Sequence, residues 1–159
     1  MPENNLPQVL VVTGPTATGK TSIGIKLAKK LNGEIISADS RQVYKLMDIG
    51  TAKPSLEERK EIPHHLIDIC FPDQTYSAGL FAKDANNLIE QILNRGKMPI
   101  IVGGTGLYLR ALIQSIFSGP GADQKTREKL NQEVEQYGLH KVYARLQQLD
   151  PVAAAKISP

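Results

Sequence analysis

The chain has 159 residues, 41% hydrophobic and 22% charged, with a net charge of +3, the proportions of one globular domain with at most a small appendage. No apolar run approaches the roughly 18 residues of a membrane-spanning helix. The start, Met1-Pro2-Glu3-Asn4-Asn5, reads as no secretory leader, and the lone Cys70 excludes a disulfide within the chain and suits a reducing cytoplasm. The small positive surplus permits an anionic partner without naming one, because basic and acidic residues are interspersed.

Val9-Leu10-Val11-Val12 is a short β-branched run, read as a buried strand. It leads into Gly14-Pro15-Thr16-Ala17-Thr18-Gly19-Lys20-Thr21, which fits the phosphate-loop pattern of two glycines followed by Lys-Thr. Ile23, Leu27, Ala28 and Leu31 then recur at helical spacing. Strand, glycine loop and helix form the setting in which that pattern carries meaning. Glycines let backbone N–H groups curl inward, and the helix start adds partial positive charge worth roughly 0.3–1 kcal/mol per exposed anion. Lys20 supplies a full charge, and the Thr21 hydroxyl can ligate Mg²⁺. The stretch implies a bound phosphate or diphosphate.

Asn32-Gly33 ends the first helix, and Glu34 to Ala38 is a second strand ending at Asp39. Residues Asp48 to Pro63 read as an excursion in which Ser55-Leu56-Glu57-Glu58 is a capping box. Leu66 to Cys70 is the third strand. Ser77 caps a helix whose buried face is Phe81, Ala85, Leu88 and Ile92, with Gly96 beyond its end. Pro99 to Val102 is the fourth strand, running into Gly103-Gly104-Thr105-Gly106 and an apolar helix with Leu109, Leu112, Ile113 and Ile116. Ser118-Gly119-Pro120-Gly121 is the clearest break in composition. Beyond it, Asp123 caps a helix with Leu130, Val134 and Tyr137, and a second helix carries Leu139, Val142, Tyr143, Leu146 and Leu149 up to Asp150-Pro151.

The expected fold is therefore α/β, a P-loop NTPase-like parallel sheet flanked by helices, with an appended helical hairpin. Residues 1–117 form the core and 118–159 the appendage. With four strands and none after the fourth, the sheet is expected to lack an element, as in a partial polypeptide.

Ligands of open α/β sheets bind beyond the carboxyl ends of the strands, so Asp39 and the phosphate loop should share one rim. Asp39 is the acid that closes a strong strand there, whereas the fourth strand ends in Val102-Gly103-Gly104 with no Walker B acid. Asp39 then reads as a general base or indirect metal partner, against a helix-capping role. Thr105 lies at the same rim in a turn that its glycines already explain. His64-His65 resembles a metal pair, but adjacent residues on an extended segment point to opposite sides and no acid or thiol cluster completes a ligand set. Lys29-Lys30 reads as a solvated helix face, and Arg127 as a surface arginine unless the hairpin closes over the site.

With these residues placed, the chain resembles the tRNA dimethylallyltransferases. Five stretches carry the resemblance: the phosphate loop, Ile36 to Tyr44, Met47 to Pro54, Pro63 to Asp68, and Val102 to Tyr108. They cover most of residues 8 to 110, and the likeness is expected to concern the N-terminal half only, family members being about twice this length. The resemblance implies transfer of a dimethylallyl group from dimethylallyl diphosphate to N6 of adenosine 37 in a tRNA anticodon loop, with Mg²⁺. It implies that Gly14, Pro15, Thr16, Ala17, Thr18, Gly19, Lys20 and Thr21 hold the diphosphate, with Thr21 toward the metal. Asp39 would be the base on the amine, and Thr105 would touch the substrate or its leaving oxygen. Asp39, Ser40, Arg41, Gln42 and Thr105 would meet the adenosine, and Arg127 would contact tRNA from residues 118–159, the start of a helical tRNA-binding domain. The setting implied is cytoplasmic, away from membranes, as a monomer. A chain of this length is expected to bind the diphosphate weakly and to modify tRNA poorly alone.

Three other readings remain at this point, the plainest being a non-catalytic fragment whose phosphate loop is vestigial. A small P-loop metabolite kinase would hold ATP in the loop and use Asp39 on a hydroxyl. An adenylate isopentenyltransferase would keep the prenyl chemistry on a free nucleotide.

Overall fold

The structure is a computed structural model and describes residues 8–114 and 123–158. The expectations at Met1 to Asn5, Ile116, the Ser118-Gly119-Pro120-Gly121 break and Pro159 lie outside the described residues. The chain divides into two compact units, Met1–Ser118 and Gly119–Pro159.

In the first unit β1 (Leu10–Val12), α1 (Lys20–Leu31), β2 (Gly33–Ser37), α2 (Leu56–Glu61), β3 (His64–His65), α3 (Ala78–Asn94), β4 (Met98–Val102) and α4 (Gly106–Gln114) follow in order. The strands form an open, wholly parallel sheet in the order β1-β4-β2-β3. This is the α/β parallel sheet flanked by helices that the sequence implied. Because strand side chains alternate between faces, neighbouring isoleucines part company. Ile35, Ile100 and Val102 pack with Ile25 and Ala28 of α1, while Ile36 and Ile101 pack with Phe81, Ala85, Ile89 and Ile92 of α3 and Tyr108 and Leu109 of α4. Both sheet faces are thus covered, as parallel strands require.

Several local expectations need correction. The buried residues of α1 are Gly24, Ile25 and Ala28, whereas Ile23 and Leu31 are exposed. Asn32 alone takes the left-handed turn after α1, at φ 51°, and Gly33 already belongs to β2. The third strand is His64–His65 rather than residues 66 to 70, because Leu66 and Asp68 turn left-handed, at φ 61° and 57°. From there the chain bonds to the segment after β2 instead, with Asp68 N donating to Gln42 O and Ile69 N to Val43 O. In α3, Ile89 is buried where Leu88 is only partly so, and in α4 Ile113 is exposed.

The second unit consists of α5 (Gln124–Tyr137), α6 (Leu139–Leu149) and α7 (Pro151–Ala154). Asp123 caps α5 by accepting from Lys125 N and Thr126 N. The third helix was not foreseen; Pro151 at its first turn and Asp150 as its cap, accepting from Ala153 N, explain why a proline that stops α6 also starts α7.

Candidate functional site

The carboxyl ends of β1, β4 and β2, adjacent in the sheet, open into one cleft of about 890 Å³. Its wall contains residues of the phosphate loop, Gly103 to Thr105, Asp39 to Gln42, and the segment Gly50 to Pro54. Strand order decides this arrangement. The β4 end lies between those of β1 and β2, so Asp39 stands two strand spacings, roughly 10 Å, from the β1 end.

The loop is wound as its sequence demands. Ala17 and Gly19 are left-handed, at φ 65° and 79°, and Thr18 Oγ1 donates to Pro15 O at 2.9 Å. Lys20 also donates to Pro15 O, which holds its ammonium over the loop. A Cβ placed on Gly104 would meet Gly14 O at 3.1 Å and Lys20 Nζ at 3.9 Å, so the β4 end and the loop are in close contact. Gly103 is tighter still: a Cβ there would overlap the backbone of Ala38, at the end of β2. These approaches draw three strand ends together.

Asp39 is half-buried, and its Oδ1 accepts from Arg41 N at 2.8 Å and Gln42 N at 3.3 Å. One carboxylate oxygen therefore fixes the turn, orienting the group within the cleft wall. Thr105 Oγ1 accepts from Ser40 N at 3.0 Å, and Thr105 N donates to Ala38 O at 3.1 Å. Gln42 is buried with its amide fully engaged: Oε1 accepts from Ser37 Oγ, and Nε2 donates to Thr51 O and Ala52 O. Arg41 is exposed at the rim. Arg127 lies exposed on α5, in the other unit.

Sequence reasoning passed over several groups here. Lys53, with a side chain only 4% exposed, donates to Tyr44 O at 2.7 Å, Asp48 Oδ1 at 2.9 Å and Asp68 Oδ1 at 2.6 Å. Burial opposes its charge, yet Asp68 and Asp48 outweigh that and hold the amine above its ordinary range. Arg59 completes the group at 2.6 Å from Asp68 Oδ2. Asp68 is likewise held below the usual carboxylate range, its burial outweighed by Lys53 and Arg59. His64 also lines the cleft. Its Nδ1 lies 2.7 Å from Ile62 O, an acceptor, so Nδ1 carries the hydrogen and the buried Nε2 has no partner among the described residues. Burial pushes this imidazole's pKa down. His65 faces elsewhere, 2.7 Å from Glu34 Oε2.

Among the described residues no three His, Cys, Asp or Glu side chains gather as a metal cage. Thr21 is half-buried in the cleft wall beside Lys20.

The sequence profile described as IPP transferase matches residues 42–159. The chain belongs to the IPP transferase family. Among its relatives, a tRNA dimethylallyltransferase of Carboxydothermus hydrogenoformans is 54% identical over 94% of this chain, and one of Geobacter metallireducens 46% identical over all of it. The full-length tRNA isopentenylpyrophosphate transferase of Bacillus halodurans superposes with a TM-score of 0.69, at 46% identity, over 97% of this chain and 51% of that one. A eukaryotic dimethylallyltransferase solved while acting on tRNA superposes with a TM-score of 0.79, at 37% identity, over 95% of this chain and 38% of that one. These matches correct one expectation. The likeness is not confined to an N-terminal part, since it runs over nearly the full chain and takes in the helices after residue 118. The chain spans about half the length of the curated relatives it matches, 49% and 52% of the two named. No helix among the described residues is long and apolar enough to cross a membrane.

Proposed function

We propose that the chain carries the donor and acceptor site of a tRNA dimethylallyltransferase, moving a dimethylallyl group from dimethylallyl diphosphate to N6 of adenosine 37. The observation that carries this reading is the shared cleft: a phosphate loop and an oriented carboxylate, Asp39, on one sheet rim in a chain of the IPP transferase family.

The loop amides and Lys20 take the diphosphate. As the amine nitrogen bonds to the allylic carbon, the carbon–oxygen bond breaks and diphosphate leaves with its electron pair. The proton lost from N6 passes to the Asp39 carboxylate. The N6 lone pair is delocalised into the purine, so a positioned base is worth about 10²–10⁴-fold. Negative charge builds on the leaving oxygen, where Lys20 and inward-facing N–H groups stabilise it without reorganising. Thr105, whose hydroxyl accepts from Ser40 N, lines the cleft and positions the turn that carries Asp39. Mg²⁺ held through Thr21 would supply further charge neutralisation at the diphosphate. The adenosine must leave its stack to reach the cleft floor, at a cost of a few kcal/mol. Arg127 and the helical unit after residue 118 are proposed as part of the tRNA-facing surface. A cytoplasmic setting agrees with the lone Cys70.

The test is incorporation of labelled dimethylallyl groups into tRNA. Asp39→Asn should lower turnover by about 10²–10⁴-fold while leaving dimethylallyl diphosphate binding within a factor of a few. Transfer of the γ-phosphate of ATP to a small acceptor, with no labelled tRNA formed, would overturn the reading.

A further inference from the structure

The segment between β2 and α2 contains a loop that the chemistry above does not use. Ile49 is 99% exposed, the highest value of any large apolar side chain among the described residues, and Leu46 is 80% exposed. A fully solvated isoleucine is unremarkable on a slack loop, but this loop is anchored at several points. Thr51 Oγ1 donates to Met47 O at 2.7 Å, closing the turn that holds Ile49. Gln42 clamps Thr51 O and Ala52 O, and buried Lys53 holds both Tyr44 O and the Asp48 carboxylate. Leu46, Gly50 and Ala52 are all left-handed, two of them residues that resist this conformation. The fold thus holds an apolar side chain out in water by a rigid and locally strained frame, against the ordinary hydrophobic bias.

Position supplies the second half of the argument. Gly50, Thr51 and Ala52 are cleft wall, so Ile49 stands one residue outside the cavity. A base extruded from a stacked strand leaves a gap between its two neighbours. Architectural proteins frequently insert an apolar side chain between base steps, and an extruded base opens such a step. The surrounding charges suit a phosphate backbone. Arg41 at the rim and Lys45, which lies 4.5 Å over the Phe71 ring, have no carboxylate partner among the described residues. Asp48, the acid next to Ile49, is paired with Lys53 at 2.9 Å.

We propose that Ile49 is a wedge that enters the stack of a tRNA anticodon loop where the target base is vacated. This rests on the reading under Proposed function. The test uses an anticodon stem-loop RNA that keeps adenosine 37 and carries 2-aminopurine in place of the base beside it, whose fluorescence rises when its stacking neighbour leaves. Binding of dimethylallyl diphosphate by calorimetry and thermal melting run alongside. The unaltered chain should raise the fluorescence. Ile49→Ser should lose most of that rise and bind the RNA about 10-fold more weakly, with unchanged diphosphate binding and melting. Ile49→Leu should restore both. An equal rise and equal affinity in Ile49→Ser would overturn the wedge and leave the proposed reaction standing. Weaker binding with a full rise at saturation would also overturn it, reducing Ile49 to a surface contact. So would a drop in melting or in diphosphate affinity, which would make Ile49 a packing residue of its own chain. No rise with the unaltered chain would overturn both readings.

Discussion

At the scale of single residues, Lys20 and Gln42 show how differently two site residues declare themselves. Lys20 stands at a fixed offset from two glycines, and its ammonium lies over the loop, bonded to Pro15 O, a placement legible from spacing alone. Replacing it with alanine removes a charge-assisted bond worth about 1.5–3 kcal/mol. Calorimetry should show dimethylallyl diphosphate binding at least tenfold weaker in Lys20→Ala. Gln42 carried no such signal. Its partners lie five, nine and ten residues away along irregular backbone, and no periodicity encodes such a clamp. Its amide ties the end of β2 to Thr51 and Ala52, so its first duty is to hold the cleft wall. Gln42→Ala should lower stability by about 1–3 kcal/mol, read by chemical denaturation, because Ser37 Oγ and two loop carbonyls lose their partner. His64 was weighed only as half of a metal pair, and its place in the cleft wall was not foreseen. Its orphaned Nε2 follows from a bond to Ile62 O two residues back, a geometry that only the folded turn creates.

Elements were legible where a local rule acts within one turn. The capping box at Ser55 is present on both sides, with Ser55 Oγ accepting from Glu58 N at 3.2 Å and Glu58 Oε2 from Ser55 N at 2.7 Å. Ser55→Ala should destabilise the chain by about 0.5–2 kcal/mol, measured as a shift in denaturation midpoint. The third strand was misplaced because Leu66-Ile67-Asp68-Ile69 has strand composition but two left-handed residues within it. That strain is maintained by tertiary bonds from Asp68 to Lys53 and Arg59, which no local pattern announces. The junction of β2 and β4 makes the sharpest element-level prediction. At Gly103 the obstructing atoms are backbone of Ala38, which cannot rotate aside. Gly103→Ala should cost about 1–3 kcal/mol of stability and also weaken diphosphate binding, since the strand ends carrying the loop and Asp39 must separate. Retained affinity in a stably folded Gly103→Ala would show that this close approach does not shape the site.

At the scale of the whole chain, the sheet has two ends with different chemistry. At the end remote from the cleft, Glu34 is 3% exposed and meets Arg95, Lys97 and His65 at 2.7 to 2.9 Å. Burial alone would raise its pKa, but hydrogen bonds from Arg95, Lys97 and His65, with the charge of Arg95, outweigh that and bring it from 4.5 to about 2. A depressed carboxylate contributes stability that is complete above its unfolded value and disappears as pH falls through the folded one. Melting temperature should therefore fall between about pH 4.5 and pH 2, and Glu34→Gln should flatten that slope while being less stable at neutral pH. The layered architecture was readable because apolar strands alternated with amphipathic helices. The coupling of Glu34 to residues some sixty positions later was not, because sheet order rather than chain order makes them neighbours.

The border strand of that sheet has a practical consequence. Among the described residues β1 bonds only to β4, and Val11 on it is 40% exposed. Among the described residues the outer side of these three extended residues is unbonded, the kind of edge onto which another strand can add. Concentrated solutions should scatter light increasingly on standing, and Val11→Lys, a charge planted on that seam, should keep them clear.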